Sequence, residues 1–216
     1  MLAFYRRKLP HWHPDLTEES FLFVTWRLAG SLPVQSGIGI GISTGSSIVG
    51  QALSPANLSP GRAFVALDRI IHKASFGPVW LKDPRIAQIV ADTLIYGETG
   101  RHYYKLRAWV VMPNHVHVLL RPAVPLAVIT RWLKGSTARK ANLLLGRTGQ
   151  PFWQDESFDH RVRDGAELER LVRYIENNPV SAGLAASAGE WAWSSAGLAG
   201  ESACPTLDGR ICLSGE

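Results

Sequence analysis

From Trp109 to Arg121 the chain reads WVVMPNHVHVLLR, two short apolar runs that meet at a Pro-Asn corner. Runs of this kind joined by such a corner predict two antiparallel strands and a tight turn. In the second run polar and apolar positions alternate. His115 and His117 therefore share one face, while Val116, Val118 and Leu120 share the other. Phe21–Leu28 (FLFVTWRL), dense in aromatic and β-branched residues, predicts an earlier strand. Ala63–Ala74 has apolar positions at helical spacing. The next helix starts at Asp83-Pro84, with Asp as N-cap and Pro in the first turn, and stops near Gly97–Gly100. Tyr103–Met112 is again strand-like and feeds the Pro-Asn corner. Leu126–Leu145 predicts a helix interrupted or bent near Gly135. Pro151–Val162 reads as a loop leading into a strand. Glu167–Asn178 predicts a last helix, with Leu168, Leu171, Val172 and Ile175 as its buried stripe and Pro179 at its end. The order of elements is an α+β pattern.

Outside these segments the texture changes. Residues 1–19 form a basic aromatic arm containing YRRKLPHWH. Its His11 and His13 repeat the His-x-His spacing, but they lie between Pro10 and Pro14, which disfavour a paired strand, so a surface arm is the reading. Residues 33–61 carry no charge and are rich in Gly and Ser, which predicts a flexible insertion. Their GIGIG run meets neither the Walker A nor the GxGxxG spacing. Residues 197–216 are small and polar, and a loosely ordered tail is expected. The domain proper is thus placed at 20–196.

Composition narrows the classes. A chain of 216 residues, 46% of them hydrophobic, can bury one core. Lys plus Arg (23) exceed Asp plus Glu (18), a balance of +5 that suits a polyanionic partner without demanding one. No apolar run approaches the ~20 residues of a membrane span. The only cysteines, Cys204 and Cys212, are too few for a secreted disulfide scaffold and have no nearby histidine for a zinc site, so a cytoplasmic protein is expected.

Two neutral imidazoles projecting side by side make half of a divalent-metal site. Sixty residues on, Tyr174 and Asn178 are one helical turn apart and stack on one face. An amide oxygen from Asn178 can add a ligand, and a phenol one turn earlier can reach a metal-bound phosphate. Histidine spacing alone leaves a transferase, a hydrolase and a buried structural pair all open.

The ordered blocks VVMPNHVHVLLRP, KGSTARKANLLLG, FWQDESFDHRVR and RYIENNPVSAGL, with PHW and FVTWRLAGSLP before them, cover most of residues 10–195. Together they resemble the IS200-like single-tyrosine (Y1) HUH transposases, most of all the REP-associated tyrosine transposases. The resemblance implies a ferredoxin-like antiparallel sheet with helices packed on one face. It implies His115 and His117 as metal ligands with Asn178 completing the site, Mg²⁺ or Mn²⁺ as the metal, and Tyr174 as nucleophile. The implied reaction is cleavage and rejoining of single-stranded or hairpin DNA through a 5′-phosphotyrosine, by a monomer or homodimer. Arg131, Lys134, Arg139, Lys140, Arg161 and Arg163 then become candidates to track DNA phosphates. Two alternatives stand beside it: a domesticated hairpin-binding protein that does not cut, and a metal-dependent phosphodiesterase that uses water. The 33–61 run looks longer than the family's connection at that point, which bears on surface recognition more than on chemistry.

Overall fold

The computed structural model describes residues 20–31 and 77–199. The arm with His11 and His13, the 33–61 insertion, the 63–74 helix, residues 200–216 and both cysteines lie outside the described residues.

Four strands form one antiparallel sheet: β1 (Leu22–Arg27), β2 (Tyr104–Val111), β3 (His115–Pro122) and β4 (Phe158–Arg161), in the order β2-β3-β1-β4. Helix α1 (Pro84–Thr99) connects β1 to β2, and α2 (Leu126–Leu144) connects β3 to β4. This is the βαββαβ order of a ferredoxin-like fold. Among the described residues three α-helices follow: α3 (Gly165–Glu176), the single turn α4 (Asn178–Ser181) and the short α5 (Ser195–Ala199).

The inner strands β1 and β3 are buried on both faces: apolar side chains line one face of each, and the other face mixes apolar residues with the buried Thr25, His115 and His117. Leu22, Val24 and Trp26 of β1, with Val116, Val118 and Leu120 of β3, pack on Ile86, Val90 and Leu94 of α1 and on Ile129 and Leu133 of α2. The opposite face carries Phe23, Ala108, Val110 and Leu119, which pack on Val172 and Ile175 of α3. The α+β, antiparallel reading is met, and the two crossover helices do share one face. The other face, with Phe23, Val110 and Leu119, is covered by α3, because one layer of helices cannot bury both faces of the sheet.

Two local features keep β2 in place. Its pairing with β3 slips by one residue between Leu106 and Ala108, a β-bulge at Arg107. Before the bulge Tyr104 and Leu106 face the α1–α2 side, and after it Trp109 and Val111 do. At the α1 end, a Cβ on Gly97 would sit 2.0 Å from the Tyr104 hydroxyl, so only glycine lets that ring reach the Leu94 carbonyl, to which it donates at 2.8 Å. Residues beyond α4 also cover the outer edge of β2. The Val111 N–H donates to the Trp193 carbonyl at 2.9 Å, and the Trp191 indole donates to the Val111 carbonyl at 3.0 Å.

Helix α2 runs unbroken through Gly135, contrary to the expected interruption. Burial of Leu126, Ile129, Leu133 and Ala141 outweighs the propensity cost of a single exposed glycine. The last predicted helix is divided instead: α3 ends at Glu176, and Asn178 opens α4. Pro179 has no N–H to give the Ile175 carbonyl four residues back, and the break falls there. The Asn177 N–H still donates to the Arg173 carbonyl at 3.0 Å, so the two helices follow one another closely.

Candidate functional site

The Pro-Asn corner is a two-residue turn closed by the Met112 N–H donating to the His115 carbonyl at 2.8 Å. The rest of the protein holds it from outside, because the Leu81 N–H donates to Pro113 and the Leu28 N–H to Asn114. From this fixed turn β3 starts, and His115 and His117 both point to the α3 side of the sheet. Both are fully buried, with 0% exposure. Their Nε2 atoms lie 3.1 Å apart, and their ring centroids 4.6 Å apart.

Each imidazole is held at its other nitrogen. The His115 Nδ1–H donates to the Asn114 side-chain oxygen at 2.7 Å, because an amide oxygen can only accept. The His117 Nδ1 is 2.7 Å from the hydroxyl of Thr25, its register partner on β1. Holding the outer nitrogens turns the two Nε2 atoms toward each other. Two cis ligands of an octahedral ion with bonds of ~2.1 Å stand ~3 Å apart, so the pair fits a divalent cation. Among the described residues no group of three His, Cys, Asp or Glu gathers. An amide oxygen is a chemically suitable further donor for such an ion.

Tyr174 projects from α3 over the same face. Its ring lies 5.7 Å from that of His117 and 6.2 Å, edge-on, from that of Phe23. Phe23 in turn stacks on His117 at 5.6 Å with 22° between planes. The phenol is half-buried while the imidazoles are closed off behind it. Asn178 is buried, at 1% exposure, one turn past Tyr174 at the start of α4. The structure thus gathers His115, His117 and Tyr174, and buries Asn178 where the chain leaves the tyrosine helix.

The six basic candidates separate. Lys134 donates to the backbone carbonyls of Gln154, Asp155 and Glu156 at 2.9, 3.0 and 3.1 Å. All three of its protons are directed at carbonyls, and it ties α2 to the loop before β4. Burial pushes its pKa down to about 8, against the partial opposition of Asp155. Arg163 is also engaged, its guanidinium donating to both carboxylate oxygens of Glu167 at 3.1 and 2.8 Å. That pairing, stronger than the cost of burial, draws the Glu167 carboxyl down to about 2. Arg131, Arg139 and Lys140 are exposed on α2, across the sheet from the histidines, and are not brought to the site. Arg161 is exposed at the end of β4 and pairs in register with Leu22, whose side chain faces the α1–α2 side.

Sequence reasoning missed Thr25, Asn114, Phe23 and Arg27. Arg27 pairs in register with His115 and so points to the same face, and its guanidinium lies 3.8 Å from the Glu156 carboxylate. The available signal was the alternation in FVTWR, which puts Phe23, Thr25 and Arg27 on one side.

Paired imidazoles on a sheet face are walled by an aromatic ring and overhung by a helix-borne phenol. Residues 86–178, from α1 to the first residue of α4, match the family described as Transposase IS200 like. This is the family that the sequence motifs resemble. The fold is similar to the structure of a REP-associated tyrosine transposase bound to a REP hairpin, with 15% identity and a TM-score of 0.47, covering 85% of this chain and 81% of that one. It is also similar to a crystal structure of a candidate transposase from Deinococcus radiodurans R1, at 16% identity and a TM-score of 0.36, covering 78% and 96% of the two chains. No curated protein matches the sequence.

Proposed function

We propose that the protein is a metal-dependent single-strand DNA transferase that cleaves through a 5′-phosphotyrosine. The observation that carries this reading is the convergence of the two Nε2 atoms, 3.1 Å apart, on the face where the Tyr174 ring stands 5.7 Å from His117. His115, His117 and the Asn178 amide would hold Mg²⁺ or Mn²⁺, which when bound polarises a phosphoryl oxygen and lowers the barrier to attack. The Tyr174 oxygen attacks phosphorus and gives up its proton. The bond to the 3′ oxygen breaks, and that oxygen leaves as a free 3′-OH once protonated. The 5′ side stays covalently on Tyr174, and reversal by an incoming 3′-OH rejoins strands. Phe23 shields the imidazole side of the site from water, which favours strand transfer over hydrolysis. Arg27 brings a guanidinium to the same face, suited to a phosphate flanking the scissile one. Single-stranded or hairpin DNA is the expected partner, with the protein acting in the cytoplasm as a monomer or homodimer. Among the described residues no helix is long and apolar enough to cross a membrane.

The test is a labelled hairpin oligonucleotide incubated with protein and Mn²⁺, then resolved on a denaturing gel. A covalent adduct is expected, lost in Tyr174→Phe. In His115→Ala, cleavage should disappear while DNA binding largely remains, because phosphate contacts elsewhere supply most affinity. Cleavage that survives Tyr174→Phe would identify water as the nucleophile. Tight binding without cleavage would identify a domesticated binding protein.

A further inference from the structure

The two histidines are not held in equivalent ways. The partner of His115 is an amide oxygen, which can only accept, so Nδ1 of His115 carries its proton in every state. The partner of His117 is a hydroxyl, which can accept or donate. The two Nε2 atoms face each other at 3.1 Å, inside a buried site. Two bare lone pairs at that distance in a desolvated pocket repel, so a proton or a cation must lie between them. With Nδ1 of His115 already protonated, the neutral pair has one place for that proton: Nε2 of His117, donating to Nε2 of His115. Nδ1 of His117 is then an acceptor, and the Thr25 hydroxyl donates to it.

From this asymmetry we infer that Asn114 and Thr25 are positioning residues with different tasks: Asn114 locks His115, whereas Thr25 lets His117 exchange tautomers as the cation enters. The inference rests on the metal reading above. The exchange balances without net proton release. The proton leaves Nε2 of His117 and an equivalent one arrives at Nδ1, where it is donated to the Thr25 oxygen. The Thr25 hydroxyl hydrogen rotates away from Nδ1, so that the Thr25 oxygen accepts. Both Nε2 lone pairs then point at the same place. A residue that could only accept, at position 25, would hold the ligand-ready tautomer permanently and leave the facing lone pairs opposed in the metal-free protein. A residue that could only donate would block the ligand-ready form. A hydroxyl serves both states, and a β-branched one also suits the central strand it sits on.

The test uses the full chain with ¹⁵N-labelled imidazoles, and long-range ¹⁵N–¹H NMR at ~pH 8, above the ordinary imidazole range. Without metal, His115 should report protonated Nδ1 and His117 protonated Nε2. With saturating Mg²⁺, both should report protonated Nδ1. In Thr25→Val, a near-isosteric change compatible with a strand, Mg²⁺ affinity measured by calorimetry should fall about 10-fold or more, and Thr25→Ser should restore most of it. Unchanged thermal unfolding of both variants separates this from a packing defect. Identical tautomers in the metal-free protein, or equal Mg²⁺ affinity in Thr25→Val and the parent, overturn the inference while leaving the metal reading intact. Failure of the parent to bind Mg²⁺ or Mn²⁺ overturns both. Intact exchange without any DNA adduct overturns only the tyrosine chemistry.

Discussion

Three carbonyls converge on the Lys134 ammonium, and removing a group that serves several part-buried acceptors is costly. Lys134→Met is expected to lower unfolding free energy by about 1–3 kcal/mol in urea titration, with little change in the salt dependence of DNA binding. A lost phosphate contact would give the reverse pattern. Glu167 allows a prediction with a defined sign. Its carboxyl sits at about 2 in the folded protein against 4.5 ordinarily, chiefly through hydrogen bonds from Arg163. The unfolded chain therefore takes up its proton first as pH falls. The stabilisation is fully present above the unfolded value and is lost as pH drops from there toward 2. The gap in urea midpoint between the parent and Glu167→Gln should accordingly be widest near neutral pH and shrink over that window. That His115 and His117 share a face was legible in the sequence, because i, i+2 spacing fixes a shared face in any strand, whereas Tyr174 stood out only through the resemblance. Thr25 was not legible. Its pairing with His117 spans 92 positions, and nothing local specifies which strands become neighbours.

Among the elements, α2 carries the clearest unexploited stability. Gly135 is exposed within an unbroken helix, and a Cβ there would meet nothing within 4 Å. Gly135→Ala should add about 1 kcal/mol and raise the melting temperature by a few degrees, measurable by circular dichroism. No change would mean that the glycine serves some contact outside the described residues. The start of α1 was legible because Asp83 and Pro84 are strong punctuation, and the Asp83 side chain does accept from the Arg85 N–H at 2.9 Å. The course of α2 was not legible, since propensity at one position is weaker than the burial of four or more apolar side chains. The bulge at Arg107 was equally hidden: YKLRAWVV alternates imperfectly, and only pairing with β3 shows where the phase slips. The α3–α4 break was within reach, because Pro179 withholds a bond from Ile175, but the run of helix formers before it masked the boundary by two residues.

Seen as a whole, the sheet separates two surfaces. Tyr174, Phe23, Arg27 and the imidazoles occupy one, while the exposed Arg131, Arg139 and Lys140 of α2 occupy the other. On the proposed reading, DNA that reaches the histidines does not run straight along α2. Replacing all three by Gln should leave adduct formation on a minimal oligonucleotide unchanged. On a longer hairpin, any loss should appear as weaker affinity with a shallower salt dependence. Loss of adduct on the minimal substrate would show that α2 takes part in the site. That division of faces could not be read from net charge, because +5 is a property of composition and says nothing of where the cations lie.

A Cβ on Gly77 would fall 2.1 Å from the Gly30 carbonyl oxygen and 2.8 Å from the Ser31 Cα. The chain therefore leaves the described fold and re-enters it at essentially one point. Such a port is suited to grafting. Whatever joins residues 31 and 77 therefore has almost no distance to span and exerts no pull on β1 or α1. A fluorescent-protein graft there should leave the imidazole pair as it is and would give the fold an optical tag.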